Sequence, residues 1–194
     1  MLEREIKLRF DSAAAARAAV IAAGASSIRG RRLQEDYLLD TADDELRRRR
    51  SVLRVRTEDG RSLLTFKGPP LQSEDQGSGI GGPVGNVKVR EEIETAIGDG
   101  ALMLSILEEL GFHVWFRYQK FREEFALGDV IIAVDETPVG VFVELEGGEQ
   151  GVANMAAALG RGPTDYLLDS YRALFVRVCE QRGTTPTDML FDRL

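Results

Sequence analysis

Cysteine and histidine are almost absent from this chain. Cys179 and His113 are the single representatives of their types among 194 residues. One cysteine excludes an internal disulfide framework and any cysteine-rich zinc site, and one histidine excludes metal sites built from two or more imidazoles. Such sparse cysteine is compatible with a reducing compartment.

Long apolar segments are lacking as well. No run of 18 apolar residues occurs anywhere, which argues against a membrane-spanning helix. Charged residues from Glu3 to Lys7 interrupt the N-terminus before the apolar stretch of a secretion signal could form. We therefore predict a cytoplasmic protein with no membrane partner.

Positive charge is in deficit. The chain has 25 Lys and Arg against 32 Asp and Glu, for a net charge of −7. This balance argues against nucleic acid as a partner, because nucleic-acid binding depends on an excess of basic residues. Any anionic ligand must then be bound by a local concentration of basic side chains.

Alternation of charged and apolar residues dominates what is present. At positions 2–10, charged residues from Glu3 to Arg9 occupy one face and apolar residues from Ile6 to Phe10 the other, which predicts a strand. Similar patterns, with a hairpin signal at Asp59-Gly60, predict about eight strands in total. The further strands are predicted at Leu33–Leu39, Val52–Thr57, Ser62–Lys67, Val87–Ile93, Trp115–Phe125, Val130–Asp135 and Val139–Glu146.

Helices are predicted between and after the strands, from capping residues and helical spacing. Thr41 and Asp44 resemble a capping box that would start the short helix. The predicted helices are Ala13–Ala23, Glu45–Arg49, Ala101–Leu110, Val152–Leu159 and Thr164–Arg182. The length favours one domain over residues 1–194, with a glycine-rich mobile loop at 68–86 and C-terminal helices at 152–182 that pack on the strands.

The charged strand faces, taken together, hold nine basic and seven acidic residues at period-2 positions. The basic ones are Lys7, Arg9, Arg54, Arg56, Lys67, Lys88, Arg90, Lys120 and Arg122; the acidic ones are Glu3, Glu5, Glu92, Glu94, Asp135, Glu144 and Glu146. Two interpretations remain open. An open antiparallel sheet would have one solvated face. A closed barrel with helices outside would turn the charged face into its lumen.

A charged lumen would need a ligand that accepts both signs of charge. Lysine and arginine neutralise a polyanion and match phosphate oxygens. Carboxylates in the same cavity would repel that polyanion unless a hard cation such as Mg²⁺ or Mn²⁺ bridged them. The pairing therefore points to a metal-complexed polyphosphate.

Seven sequence elements, in order, carry a resemblance to a known family. They are Glu3-Arg4-Glu5-Ile6-Lys7 (an ExExK motif), Leu53-Arg54-Val55-Arg56, Thr65-Phe66-Lys67-Gly68-Pro69, Arg90-Glu91-Glu92-Ile93-Glu94, Lys120-Phe121-Arg122, Asp135 with Glu144-Leu145-Glu146, and Asp169-Ser170-Tyr171. With them the chain resembles the CYTH superfamily, the triphosphate tunnel metalloenzymes. The resemblance implies an α+β fold, an eight-stranded antiparallel β-barrel with surrounding helices.

The resemblance also implies site residues. Metal ligands for Mg²⁺ or Mn²⁺ would be Glu3, Glu5, Glu144 and Glu146, with Glu92, Glu94 and Asp135 supporting them directly or through water. Phosphates would be held by Lys7, Arg54, Arg56, Lys67, Lys88, Arg90, Lys120 and Arg122. The catalytic set would be Glu3, Glu5, Lys7, Glu144 and Glu146.

Three functions remain open. The leading one is metal-dependent hydrolysis of a triphosphate such as tripolyphosphate, thiamine triphosphate or a nucleoside triphosphate. The alternatives are class IV adenylate cyclase activity, which converts ATP to cyclic AMP and pyrophosphate, and a non-catalytic polyphosphate- or nucleotide-binding module. The partner is a triphosphate-containing small molecule, and the oligomeric state is open, a homodimer included.

Other clusters have simpler interpretations. Arginines 47–50 at the end of a short helix are typical of a solvated face compatible with the helix dipole. Aromatic residues from Trp115 to Phe121 could stack on an organic ring, but core packing is their default role. Tyr171 is predicted to help pack the last helix on the barrel or close one of its ends.

Overall fold

The strands form a closed antiparallel barrel, as predicted. The computed structural model describes residues 2–70 and 88–191, apart from the side chains of Leu2, Glu3 and Lys88. The strands are β1 (Leu2–Phe10), β2 (Ser26–Thr41), β3 (Val52–Glu58), β4 (Arg61–Pro70), β5 (Lys88–Ile97), β6 (Phe112–Leu127), β7 (Val130–Thr137) and β8 (Gly140–Glu146). They follow the order β1-β5-β4-β3-β2-β6-β7-β8 around the barrel.

Helices cover the outside of the barrel. They are α1 (Ala13–Ala22), α2 (Glu45–Arg48), α3 (Gly100–Glu109), α4 (Glu149–Ala158) and α5 (Tyr171–Arg182), with a 3₁₀ turn at Pro163–Asp165. Ser12, Asp99 and Ser170 cap α1, α3 and α5 through side-chain oxygens that accept backbone N–H groups. Within the described ranges, no helix is long and apolar enough to span a membrane.

Strand alternation determines which side chains face outward. Ile6 and Leu8 of β1 are fully buried against α1 and α4, and Phe175 of α5 packs on Phe116 of β6. Burying one such apolar side chain contributes about 1.5–3 kcal/mol. The intervening residue of β1, Lys7, lies on the opposite face, which is the lumen.

The hairpin between β3 and β4 follows the sequence signal. Asp59 and Gly60 have φ values of 46° and 72°. Both are left-handed, as a two-residue type I′ turn requires, which is why Asp-Gly favours it.

Two helix predictions are wrong in detail. The capping box does not form, because the N-cap of α2 is Asp44, whose side chain makes no capping bond. The carboxylate of Asp40 instead accepts the N–H groups of Leu46 and Arg47, at 2.8 and 3.0 Å. The last helix begins at Tyr171 and not at Thr164.

The segment before α5 is extended because it completes the barrel edge. The backbone N–H of Lys7 donates to the carbonyl of Leu167 at 3.0 Å, and that of Leu167 donates to Lys7 at 2.9 Å. Backbone that pairs in this way cannot continue a helix. Residues 68–70 of the predicted loop belong to β4, and residues 71–87 lie outside the described part of the chain.

Candidate functional site

The barrel encloses a cavity of about 1060 Å³. Strand side chains at alternate positions line it, together with residues from α2 and α5. Its basic residues are Lys7, Arg29, Arg47, Arg50, Arg54, Arg56, Lys67, Arg90, Lys120, Arg122 and Arg172; its acidic residues are Glu5, Glu58, Glu92, Glu94, Glu124, Glu144 and Glu146. Cations thus outnumber carboxylates inside a protein whose net charge is negative.

Most predicted site residues come together here. Those that line the cavity are Glu5, Lys7, Arg54, Arg56, Lys67, Arg90, Glu92, Glu94, Lys120, Arg122, Glu144 and Glu146. The side chains of Glu3 and Lys88 lie outside the described part of the structure, although their backbones pair within β1 and β5. Asp135 is fully buried and does not line the cavity.

Lys7 lies between two of the predicted metal carboxylates. Its ammonium group forms an ion pair with Glu5, and it lies 3.2 Å from Oε1 of Glu144. Burial alone would lower the pKa of Lys7, but attraction to Glu5 and Glu144 outweighs burial and raises it. Lys7 is therefore a permanent cation in the lumen.

The two arginines of β3 are held by Asp36, which sequence reasoning missed. Nε of Arg56 donates to Oδ1 of Asp36 at 2.8 Å, and Nε of Arg54 lies 3.3 Å from the same oxygen. Burial would raise the pKa of Asp36, but Arg56 and Arg54 lower it. The carboxylate therefore stays ionised and fixes both guanidinium groups beside the cavity.

Asp135 holds the two cations of β6, Lys120 and Arg122, in place in the same way. Its Oδ2 accepts from Lys120 at 2.8 Å, from Arg122 at 2.5 Å and from the hydroxyl of Tyr171 at 2.6 Å. Its Oδ1 accepts from Nε of Arg122 at 2.7 Å. Both oxygens of Asp135 accept hydrogen bonds, so Asp135 positions Lys120 and Arg122, and its role as a metal ligand stays a prediction.

Lys120 differs from Lys7 and Arg122 in that its pKa is lowered. Burial and repulsion by Arg122 lower its pKa more than Asp135 and Glu144 raise it, which brings the value to about 8. Its ammonium group also lies 4.9 Å from the ring centroid of Tyr171. An anion in the lumen would favour the charged form of Lys120.

One end of the cavity contains a paired network that the sequence did not reveal. Arg32 donates to Glu58 at 2.9 Å and to Glu124 at 2.6 Å, and Arg29 lies 2.7 Å from Glu58. Hydrogen bonds from Gln34, Arg29 and Arg32 overcome burial and lower the pKa of Glu58 to about 2. We refer to Arg29, Arg32, Gln34, Glu58 and Glu124 as the paired end.

The other end of the cavity corrects the interpretation of arginines 47–50. Arg48, Arg49 and Arg50 are exposed, as a solvated face requires, but Arg50 also lines the cavity, together with the half-buried Arg47. Trp115 and Arg172 lie beside them. We refer to Arg47, Arg50, Trp115, Ser170 and Arg172 as the basic mouth.

The acidic residues of β1 and β8 fit a hard divalent cation by their donor chemistry. Glu5 lies directly opposite Glu146, and Glu144 lies opposite Lys7. Opposed like charges destabilise a sheet unless a cation separates them, and carboxylate oxygens suit Mg²⁺ or Mn²⁺. Among the residues described, no three potential ligands are already gathered around one point. Lys7 contacts both Glu5 and Glu144.

Comparisons with known proteins agree with this architecture. A family model described as CYTH domain matches residues 1–157. A Methanocaldococcus jannaschii protein named "Putative adenylate cyclase" is 31% identical over 147 residues, which cover 75% of this chain and 77% of that protein.

Solved structures share the fold at lower identity. A Vibrio parahaemolyticus protein described as "a putative adenylate cyclase" has a TM-score of 0.74 at 20% identity, over 90% of this chain and 97% of that one. A Hippeastrum protein, described as a "putative adenylyl cyclase" with "a dominant" triphosphatase activity, has a TM-score of 0.62 at 21% identity, over 95% and 97% of the two chains.

Proposed function

The chain belongs to the CYTH domain family, and on this premise we propose that it hydrolyses a triphosphate substrate with the help of Mg²⁺ or Mn²⁺. One observation carries the proposal. Cations from β1, β3 and β6 face one cavity inside the barrel, and the carboxylates of β1 and β8 share that cavity. A polyanion combined with a hard cation is the ligand that both sets of charges accept.

The lumen cations would bind the phosphates. Arg56 and Arg122 offer the remaining N–H groups of guanidiniums whose orientation is fixed by bidentate contacts with Asp36 and Asp135. Fixed donors lose little conformational freedom when a ligand binds, and they stabilise charge that develops on transferring phosphoryl oxygens. Lys7 and Lys120 would add point charges between these forks.

Glu5, Glu144 and Glu146 would hold the cation. When bound there, Mg²⁺ or Mn²⁺ supplies charge neutralisation and lowers the pKa of an attacking water. Substrate binding by Lys7 would release Glu5 and Glu144 from Lys7, because a phosphate can replace both carboxylates as the partner of the ammonium group. Glu144 is also paired with Arg122, so a phosphate on Arg122 would have to compete for that contact as well. The same residues therefore couple the substrate to the metal site.

Adenylate cyclase activity is the second candidate. The Methanocaldococcus jannaschii relative favours it by name, whereas the Hippeastrum neighbour is described by a triphosphatase activity. Hydrolysis directs water at the terminal phosphorus, and cyclisation directs the ribose 3′-hydroxyl at the α-phosphorus. The two reactions require the same cations and differ in the register of the phosphate chain.

Product analysis separates these functions. We expect purified protein with Mg²⁺ or Mn²⁺ to release orthophosphate from at least one of tripolyphosphate, thiamine triphosphate or ATP, and chelation to abolish the reaction. If the products from ATP are cyclic AMP and pyrophosphate, the protein is an adenylate cyclase and the proposal of hydrolysis is wrong. Tight binding of all three compounds without turnover would identify a binding module.

A further inference from the structure

The basic mouth is a cluster of guanidinium groups that the proposed triphosphate contacts do not use. Arg47, Arg50 and Arg172 line the same cavity as the lumen cations. On β3, Val52 beside the mouth precedes Arg54 by two residues, which is about 6.6 Å of strand. The mouth therefore continues the row of lumen cations toward this end of the barrel.

The fold holds these groups in place. Asp40 is fully buried and accepts from Nε of Arg47 at 3.2 Å as well as from the backbone of α2. Trp115 is the extra residue of a β-bulge, because Leu38 pairs with Phe116 whereas Leu39 pairs with Val114. Bulges redirect side chains next to functional sites, and this one turns Trp115 to the cavity.

Two guanidinium groups share the ring of Trp115. The central carbons of Arg47 and Arg172 lie 4.3 and 4.8 Å from its centroid. Burial and repulsion by Arg47 lower the pKa of Arg172. Neither charge is screened by water as fully as it would be on an open surface, so their proximity costs free energy.

Carboxylates balance only the charge of Arg47 in this cluster. Arg47 pairs with Asp40 and Asp44. Among the described residues, Arg172 and Arg50 form no ion pair with a carboxylate, whereas at the paired end Arg29 and Arg32 both do. Unpaired cations that line a cavity favour an anion as their ligand.

The chemistry of the mouth fits a phosphate better than an organic ring. The contacts that Arg47 and Arg172 make with Trp115 occupy the aromatic surface on which a base would stack. Guanidinium N–H groups match phosphate oxygens in pairs. Ser170, the N-cap of helix α5, also lies here, and the N-terminal dipole of that helix favours negative charge.

We propose that the basic mouth is a subsite for a fourth phosphate, so that the protein prefers phosphate chains longer than three units. This inference rests on the proposed triphosphate site and extends it. Inorganic tetraphosphate and a nucleoside 5′-tetraphosphate present the same chemistry to the mouth, and either could supply the fourth phosphate.

The subsite is tested by calorimetric titration, which compares the affinity of the protein for tripolyphosphate and for tetrapolyphosphate. Both are measured with Mg²⁺ at equal ionic strength. We expect tetrapolyphosphate to bind the natural protein at least tenfold more tightly. Arg172→Ala should remove that difference and leave tripolyphosphate binding within about twofold, and Arg172→Lys should restore part of it. As a control, Arg49→Ala removes an exposed arginine from the run 47–50, and we expect the affinity for both ligands to stay unchanged.

The outcomes are distinct. Equal affinity for the two chains in the natural protein would overturn the subsite, and so would a preference that survives Arg172→Ala, since that would reflect net charge alone. Failure of tripolyphosphate itself to bind would refute the proposed function instead. If adenosine 5′-tetraphosphate also binds more tightly than ATP, the subsite accepts nucleotides. If only the inorganic tetraphosphate shows this preference, the inorganic chain is the source of the fourth phosphate.

Discussion

The two ends of the cavity use arginine in opposite ways. At the paired end, Arg32 lies between Glu58 and Glu124, at 2.9 and 2.6 Å. At the basic mouth, Arg172 contacts Trp115 and lacks a carboxylate partner among the described residues. At the paired end, carboxylates balance the arginines and tie neighbouring strands together, whereas Arg172 at the mouth is available to a further anion.

The largest expected effect is on stability at the paired end. Glu58→Ala leaves Arg32 and Arg29 without a carboxylate that both now contact, and we expect the free energy of unfolding to fall by about 3 kcal/mol. Arg172→Ala at the mouth should change it by less than about 1 kcal/mol. Urea unfolding measures both, and equal losses would remove the distinction between the two ends.

Between the two ends, the central cations should control affinity. Arg122→Ala removes a fork that Asp135 orients, and we expect it to weaken tripolyphosphate binding by about 1.5–3 kcal/mol. Arg122→Lys keeps the charge and should recover part of the loss. Calorimetric binding with normal affinity in Arg122→Ala would place the phosphates elsewhere.

The carboxylates of the lumen should act through the metal. Glu146→Gln removes a charge opposite Glu5 while it keeps the size of the side chain. We expect the Mg²⁺ concentration for half-maximal activity to rise roughly tenfold, about 1.4 kcal/mol, because one anionic ligand is lost. Glu123 does not line the cavity, so the control variant Glu123→Gln should leave the metal dependence of the activity unchanged.

Lowering the pH should gradually reduce the stability that the paired end contributes to the fold. The folded protein lowers the pKa of Glu58 from 4.5 to about 2. The stability that this shift contributes is complete above pH 4.5 and is lost as the pH falls toward 2, so about 1 kcal/mol should be gone by pH 4. In Glu58→Gln that part of the loss should be absent, and an identical pH profile in both proteins would contradict the role of Glu58.

Strand alternation predicted most of the barrel and the lumen, because period-2 patterning directly determines which face a side chain occupies. Asp36 was missed although its strand alternates as well. The strand at Leu33–Leu39 was predicted, and Arg32, Gln34 and Asp36 face inward, but Glu35 on the outward face interrupts the apolar face that elsewhere identified which residues line the lumen. The signal was present and was obscured by one polar residue.

The basic mouth could not be predicted from local patterns. Trp115 reaches the cavity because a bulge shifts the register of β6. Arg47 is oriented by Asp40, seven residues earlier, and Arg172 depends on an extended segment that pairs with β1 before α5 begins. Each of these positions results from a tertiary contact, which the periodicity of the sequence does not reveal.

The most direct test of the central claim, that the charged lumen is a triphosphate site, is thermal unfolding with tripolyphosphate and Mg²⁺ against sulfate at equal ionic strength. A ligand that binds only the folded lumen at 100 times its dissociation constant should add about 2.7 kcal/mol of stability. We predict that tripolyphosphate with Mg²⁺ stabilises the protein far more than sulfate does, and that Lys7→Ala reduces the difference. Equal stabilisation by the two anions, unchanged in Lys7→Ala, would contradict the account.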